Sequence, residues 1–403
     1  MTSTTSATQR SRRLLDLAGR LADDFATRAD EHDRENTFPF ENFEAMKREN
    51  YTSLPIPEEV GGLGGTLLDL CLCQERLAQG DASTALAVNM HLFAVGSMAE
   101  QVGMTNPQAM LLAGMLAQQH WIIGGGFTEA EIGGNWGFPT TTAVRQEHEG
   151  VPGFVLNGRK TFTSMAPIID FFAINTSTTD ADGKPVIGMF TVPRATPGIE
   201  IIETWDTMSM RATASHDLVI KDAWVPEQAL VAMRQPGDTD VGANIILSWF
   251  CGTVASVYLG IATAARDFAY DWAKTRRPVL FERPISHFPG VQFHAADIEV
   301  ELAAARALVR QTVREWTEGG LRERDDLARI VLMKYLATNA AVRIVEQAMG
   351  IVGAPGIFRR HPMQRFYRDV RAGPFHPMTN DVAKELIGKT ALGIPMEFQP
   401  RWG

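Results

Sequence analysis

The residues best suited to chemistry lie in one segment near the end of the chain, residues 368–381, which reads RDVRAGPFHPMTND. It follows a glycine-rich turn at 353–356, and an Arg-Asp pair at its start leads to the dipeptide His376-Pro377. An imidazole titrates close to neutral pH, whereas a proline side chain does not titrate at all. His376 is therefore the side chain of this segment that we expect to handle a proton.

A second histidine, His91, is a further candidate for catalysis. His91 interrupts an apolar helical run, where a single histidine is more often a satisfied core residue than a catalytic one. The remaining histidines have no metal-ligand spacing, and Cys71 and Cys73 would point apart on a helix. We predict neither a metal site nor a Ser-His-Asp arrangement.

These residues must be positioned by a chain of three parts. Apolar residues recur at helical spacing up to about residue 120, short β-prone runs between turn signals follow, and long helical patterns return from Val241. The β-prone runs do not alternate with helices, so a Rossmann fold is not expected. We predict an α+β, mostly α fold with an N-terminal helical domain (1–120), a central antiparallel β domain (121–235) and a C-terminal four-helix-bundle domain (236–403).

The composition is typical of a globular protein, with 45% hydrophobic and 21% charged residues. A net charge of -9 gives no electrostatic reason to expect a nucleic acid partner. The uncharged stretch between Asp240 and Arg266 is long enough to span a membrane, but polar residues interrupt it, so we predict a buried core helix. The N-terminal residues lack a secretory signal pattern and cysteines are few, which favours a cytoplasmic location.

Five motifs in a common order resemble those of the acyl-CoA dehydrogenase superfamily, from about residue 40 to 395. Each is weak alone, but their shared order and the α–β–α arrangement make chance a poor explanation. The motifs are PEEVGGLG at 57–64, FTEAEIGGN at 127–135, NGRKTFTS at 157–164, MRAT at 210–213 and the segment 368–381.

The resemblance implies a flavoprotein oxidoreductase that uses FAD, or FMN if it works as a reduced-flavin monooxygenase. It also implies a homotetramer that shares flavin between subunits, and a separate flavin reductase or electron-transfer flavoprotein as partner. By position, the family's cofactor contacts fall on Phe127, Thr128, Gly133, Gly134, Phe162, Ser164, Arg277, Gly353, Thr379 and Asp381.

The catalytic base of the resembling dehydrogenases is missing. Their base is a glutamate that removes a substrate proton, and the matching residue here is Pro377. A second position that some family members use for this base corresponds to residues 249–251, Trp-Phe-Cys, which also lack a carboxylate. His376 instead resembles the flavin monooxygenase branch, such as dibenzothiophene monooxygenase, in which histidine and serine groups manage a proton while reduced flavin reacts with oxygen.

Three functions therefore stay open. The first is a reduced-flavin monooxygenase or hydroxylase for a small aromatic, amine or polyketide-like substrate, with His376 and Ser164 flanking the reacting oxygen. The second is an acyl-CoA or acyl-carrier dehydrogenase that forms an α,β double bond with a relocated base. The third is a non-catalytic assembly protein on a flavin-binding fold. The empty base positions and His376 favour the first.

Overall fold

A computed structural model of the protein describes residues 2–102, 107–131, 137–236, 241–323 and 326–395. The first part of the chain is helical, as predicted. Its helix α4 begins after Thr66, whose hydroxyl accepts a hydrogen bond from the Asp69 amide, while the Asp69 carboxylate accepts one from the Thr66 amide. This reciprocal capping fixes the start of the helix. The helices are α1 (Thr2–Ala26), α2 (Ala29–Glu35), α3 (Phe40–Arg48), α4 (Leu67–Gly80), α5 (Ala82–Val102) and α6 (Pro107–Gln119).

The central part forms one sheet in the order β6-β7-β3-β2-β4-β5-β8, with β1 beside β4. Most neighbouring strands are antiparallel, as predicted, but β1 and β2 each pair parallel with β4. The last strand, β8, was not predicted. The strands are β1 (Ile123–Gly126), β2 (Thr142–Arg145), β3 (Gly153–Thr163), β4 (Phe171–Thr179), β5 (Pro185–Pro193), β6 (Ile199–Ile202), β7 (His216–Pro226) and β8 (Leu230–Arg234).

Strand β3 contains two irregularities that matter for the site. Asn157-Gly158, which the sequence predicts as a turn, is instead a bulge inside the strand, so β3 runs well beyond Leu156. A second register shift lies between Lys160 and Thr163, where Phe162 adopts a positive φ of 57°. The Lys160 side chain consequently enters the core, whereas Phe162 is turned outward and is 60% exposed.

The final part of the chain is helical again. The four long helical patterns found in the sequence correspond to observed helices, and the short α10 is an addition. Arg368 and Asp369 end this short helix, and the chain continues as a 3₁₀ helix over Val370–Phe375. The helices are α7 (Val241–Thr275), α8 (Pro289–Thr317), α9 (Leu327–Val352), α10 (Met363–Asp369) and α11 (Asn380–Leu392).

Helix α7 runs through the core and packs against α4, α5 and α9. At Gly260 a Cβ atom would lie 2.4 Å from the backbone oxygen of Glu75, so only glycine permits this approach to α4. By length and composition α5 and α7 could cross a membrane, but 78% and 94% of their apolar windows are buried within the protein. The buried core helix predicted between Asp240 and Arg266 is confirmed.

Candidate active site

A tyrosine from α7 holds the side chain of His376. Tyr258 is fully buried, and its hydroxyl lies 2.8 Å from Nε2 of His376. Burial raises the pKa of Tyr258 well above its usual value, so the phenol keeps its proton. Nε2 is the one acceptor within reach of this O–H among the described residues, and a buried O–H without an acceptor is costly, so Tyr258 donates. The ring proton of a neutral His376 is therefore on Nδ1.

The imidazole of His376 is uncharged at neutral pH. The residue as a whole is only partly buried, yet its ring lies against Phe250 and Tyr258. Burial lowers the pKa of His376 to about 3, and the positive charge of Lys334 acts in the same direction. Within the described chain no group accepts a hydrogen bond from Nδ1. The site thus offers an N–H donor, and its imidazole is a weak base.

The two positions at which the family would place a base come together here. The ring centroid of Phe250 lies 6.4 Å from that of His376, and Cys251 is fully buried beside it on α7. Pro377 is the next residue along the segment. No aspartate or glutamate of the described residues forms a hydrogen bond or ion pair with His376. No carboxylate bonded to this histidine is therefore available to remove a proton from a substrate.

Ser164 begins a chain of hydroxyl contacts that leads to the end of α10. Its Oγ lies 2.8 Å from Oγ of Ser215, which lies 2.8 Å from Oγ1 of Thr213. Thr213 donates to the carbonyl of Met210, whose amide donates to Oδ1 of Asp369. Ser164 is therefore linked to the Arg-Asp pair that precedes His376, although no hydrogen bond among the described residues joins it to His376 itself.

Three predicted cofactor residues lie at the ends of β1 and β3. Phe127 follows β1, and its ring packs so closely over Gly125 that a Cβ there would lie 2.5 Å away. The carbonyl of Thr128 accepts a hydrogen bond from the Thr161 amide at 2.8 Å, which joins the β1 end to β3. Phe162 is on the same stretch of β3, with its ring exposed. These residues form an open face with one large aromatic ring presented to solvent.

Of the other predicted cofactor residues, Ser164 donates its amide to the carbonyl of Phe162 at 3.0 Å, whereas the rest share no hydrogen bond or ion pair with this face in the part of the chain that the structure describes. Gly133 and Gly134 lie outside the described residues. Arg277 is exposed just beyond the end of α7, and Gly353 closes α9 with a φ of 69°. Their roles stay predictions, as do those of the two residues at the start of α11, Thr379 and Asp381.

His91 lies between the helical and β parts of the protein. It is 1% exposed; Nδ1 accepts from the Ile123 amide at 3.0 Å, and Nε2 donates to the carbonyl of Thr52 at 3.0 Å. Burial lowers its pKa to about 4, so the neutral ring matches these two backbone partners. Both ring nitrogens are thus occupied by structural contacts, and a catalytic role for His91 stays a prediction that this geometry does not support.

Two side chains that the sequence analysis did not single out lie next to His376. Tyr258 follows Phe250 at helical spacing i, i+8, which would place both on neighbouring faces of α7. Lys334 is a single charged residue in the otherwise apolar run 330–336 of α9, and it is fully buried. A lone lysine in such a run was the available sequence signal, since charged residues are rarely buried without a reason.

Asp369 is a buried carboxyl at the end of α10. Its Oδ1 accepts the Met210 amide at 2.7 Å, whereas Oδ2 has no hydrogen-bond partner among the described residues. Burial raises the pKa of Asp369 to about 7, although the charges of Arg365 and Arg368 act against it. The folded protein therefore holds a proton here that the unfolded chain releases at lower pH.

An Asp369→Asn variant is expected to change how stability depends on pH. An unfolded aspartate titrates near about pH 4, so folding takes up a proton between about pH 4 and 7, and the native state loses stability as the pH rises through that window. Asparagine keeps an acceptor for the Met210 amide but cannot titrate. Scanning calorimetry from pH 5 to 8 should show the variant gaining in Tm on the wild type as the pH rises; parallel curves would contradict the raised pKa.

Three family models match the chain in consecutive order. They are the acyl-CoA dehydrogenase N-terminal domain over residues 8–119, the middle domain over 124–223 and the C-terminal domain over 252–381. The putative acyl-CoA dehydrogenase YdbM of Bacillus subtilis (strain 168) is 35% identical over 383 residues, which are 94% of this chain and 97% of YdbM. Most of the chain therefore takes part in the similarity.

The chain is also similar to a protein with a different activity in its name and to a solved structure that holds FMN. Amino sugar nitrososynthase DnmZ of Streptomyces peucetius is 30% identical over 393 residues, covering 95% of this chain and 93% of DnmZ. The solved structure of KijD3 in complex with FMN and dTDP-3-amino-2,3,6-trideoxy-4-keto-3-methyl-D-glucose superposes with a TM-score of 0.84 at 29% identity, covering 97% of this chain and 95% of KijD3. The chain is thus similar over nearly its full length both to a putative acyl-CoA dehydrogenase and to an amino sugar nitrososynthase.

Proposed function

Since this chain belongs to the acyl-CoA dehydrogenase family, we propose that it is a flavin-dependent enzyme of that family that works as a reduced-flavin oxygenase. The observation that carries the proposal is the environment of His376. Tyr258 donates to Nε2, and the neutral ring presents Nδ1–H where a dehydrogenase needs a proton acceptor. A donor suits a reaction in which negative charge develops on an oxygen atom.

The residues of the β domain fit a flavin. Phe162 is held at a positive φ on a bulge and is 60% exposed, although its ring contacts that of Trp205 edge-on with centroids 5.7 Å apart. Such backbone strain is common at ligand sites. The ring of Phe162 offers a flat apolar surface, and the partly buried Ser164 offers a hydroxyl close to it on the same stretch of chain. These two side chains, with Phe127 and Thr128 at the neighbouring edge, would hold the isoalloxazine of FMN or FAD.

A reduced flavin supplies two electrons, so that one atom of O₂ joins the substrate and the other leaves as water. The chain's own residues supply the proton handling. His376 Nδ1–H donates to the oxygen atom on which charge develops, and Tyr258 holds the ring so that this proton faces outward. The apolar contacts of Phe250 with His376 and Phe93 limit the access of water to the imidazole from the α7 side.

The substrate class that we propose is an amine carried on a nucleotide-linked sugar. DnmZ is by name an amino sugar nitrososynthase, and KijD3 was solved with FMN and a dTDP-linked amino sugar. The present chain aligns with both over nearly its full length. Reduced flavin would reach the enzyme from a separate flavin reductase, and the nitrogen atom of the amine would receive the oxygen.

The second candidate function is an acyl-CoA dehydrogenase. The observation in its favour is the 35% identity to YdbM, which is named a putative acyl-CoA dehydrogenase. This function needs a base near the substrate, and among the described residues no carboxylate is bonded to His376. The dehydrogenase would therefore require a base from a part of the chain or a subunit other than the two expected positions.

One pair of assays separates the two candidates. The purified protein is incubated with FMN or FAD, NADH, a flavin reductase, isotopically labelled O₂ and a dTDP-linked amino sugar, and the products are analysed by mass spectrometry. In parallel, the protein reconstituted with FAD is titrated anaerobically with acyl-CoA thioesters while its visible spectrum is recorded. We expect labelled oxygen in the amine product, only when the reductase is present, and no bleaching by thioesters.

Either assay can overturn the proposal. Bleaching of the bound flavin by a thioester, with formation of the unsaturated product, would establish the dehydrogenase instead. An unlabelled amine in every condition would exclude the amine substrate class. Controls without the reductase and without the protein account for oxidation of the amine by hydrogen peroxide, which free reduced flavin forms with O₂.

A further inference from the structure

A buried lysine lies beneath the segment that carries His376. Lys334, on α9, has no exposed surface, and its Nζ donates to the carbonyl of His376 at 3.1 Å and to that of Met378 at 3.3 Å. It forms no ion pair with a carboxylate in the described part of the chain. Its ammonium group is therefore paired with two backbone carbonyls, on either side of Pro377.

Burial of an ammonium group without a carboxylate is unfavourable, so this lysine weakens the core unless it has another role. The burial lowers the pKa of Lys334 to about 8, which still leaves it mostly charged at neutral pH. An apolar side chain of similar length could fill the same volume at a lower cost. The residue thus has the features of a group retained for a site and not for stability.

The backbone around Pro377 needs such an anchor. Met378 adopts a positive φ of 59°, which is unfavourable for a residue other than glycine. Pro377 has no N–H with which to form a stabilising turn bond. One Nζ atom bonds to both flanking carbonyls and so holds the segment on either side of Pro377, where the ring of His376 contacts Tyr258.

The charge of Lys334 also acts on the imidazole. The titratable group that contacts His376 from α7 is Tyr258, and it is neutral. Cys251 on the same helix interacts with Lys334, and burial raises its pKa to about 12, so it is neutral too. Asp369, at the end of α10, acts on Tyr258 but is not a partner of His376. Lys334 is therefore the cation that opposes a positive charge on His376 among the described residues.

We propose that Lys334 is a positioning residue of the active site: it holds the two carbonyls around Pro377, and its positive charge adds to burial in favouring the neutral, donating form of the His376 imidazole. The expected effect of Lys334 on turnover rests on the proposed function. The effect of Lys334 on the titration of His376 does not depend on the proposed function, because the titration can be measured without substrate or flavin.

The test uses three substitutions that separate charge from hydrogen bonding. Lys334→Arg keeps the charge, Lys334→Gln keeps a donor for the carbonyls without charge, and Lys334→Met removes both. The His376 ring is followed by NMR titration of its Cε1–H signal, which is assigned by its loss in a His376→Gln variant. Circular dichroism establishes that each variant is folded.

We expect the pKa of His376 to rise by about one or more in both Lys334→Gln and Lys334→Met, and to stay at the wild-type value in Lys334→Arg. In the oxygenation assay, we expect kcat to fall about tenfold in Lys334→Met with flavin affinity unchanged, and the pH–rate profile to gain a new limb on its acidic side. A neutral lysine substitution that leaves the titration of His376 unchanged in a folded protein would overturn the proposal.

The two neutral variants guard against a failure to fold, because glutamine preserves the hydrogen bonds that Met removes. If oxygenation is absent in the wild type, the proposed function fails while the titration still tests Lys334. If oxygenation is present and the titration does not move, Lys334 fails and the proposed function stands.

Discussion

A His376→Ala variant is expected to transfer oxygen about 10²- to 10³-fold more slowly than the wild type, which is the effect of removing one donor to a developing oxyanion. It should bind oxidised flavin as well as the wild type, because Phe162 lies on β3 of the central sheet, whereas His376 follows the 3₁₀ helix Val370–Phe375. The substitution also leaves the buried Tyr258 hydroxyl without its acceptor, so circular dichroism is used to establish that the variant is folded. Single-turnover oxygenation with pre-reduced flavin measures the fall in rate directly.

Tyr258→Phe is the matched control for His376. It keeps the aromatic ring that packs on the imidazole and removes the hydroxyl that bonds to Nε2. The imidazole is then free to carry its proton on either nitrogen, so we expect a smaller loss than for His376→Ala. An unchanged rate in His376→Ala, with the protein folded and flavin bound, would exclude His376 as the proton-handling group and leave the proposed mechanism without its main residue.

Some elements could be predicted from the sequence more closely than others, for physical reasons. The long helices α7 and α9 extend over several turns of continuous helical periodicity, so their positions follow closely from the pattern. By contrast, Asn157-Gly158 has the composition of a turn, but the same conformational freedom serves a bulge inside β3. The pairing of β3 with β7 decides between a turn and a bulge, and this pairing joins residues that are far apart in the sequence.

The environment of His376 could not be predicted from the sequence. The partner Tyr258 lies 118 positions away along the chain, and Lys334 lies 42 positions away. Neither forms a motif with His376, because their proximity results from how α7 and α9 pack. The sequence could indicate that a carboxylate is missing at Pro377, but the direction of the hydrogen bond at Nε2 depends on the burial of Tyr258.

The second prediction with a large effect concerns stability, at the point where two of the sequence motifs meet. Glu129 and Lys160 form a fully buried ion pair with Nζ to Oε1 at 2.6 Å. Nζ donates further to the carbonyl and side-chain oxygens of Asn175, and the backbone amides and hydroxyls of Thr140 and Thr141 donate to the carboxylate. Every lysine donor is used, so the pair is a closed network.

Lys160→Met is expected to lower the free energy of unfolding by about 3–5 kcal/mol, since it leaves the carboxylate of Glu129 buried without its cation. Burial alone would raise the pKa of Glu129, but hydrogen bonds from Lys160, Thr140 and Thr141 lower it to about 2. The stabilisation from this carboxylate is thus present above its ordinary pKa near 4.5 and is lost as the pH falls towards 2. Urea denaturation at neutral pH measures the loss.

The neighbouring residue on β3 offers a matched control. Arg159 forms an ion pair with Asp217 at 2.6 Å, but its side chain is 57% exposed, so Arg159→Met should cost less than about 1 kcal/mol. The double variant Glu129→Gln, Lys160→Met removes the unpaired charge and should recover part of the loss, which a double-mutant cycle quantifies. Equal effects of Lys160→Met and Arg159→Met would contradict the buried pair, because burial is the main difference between the two sites.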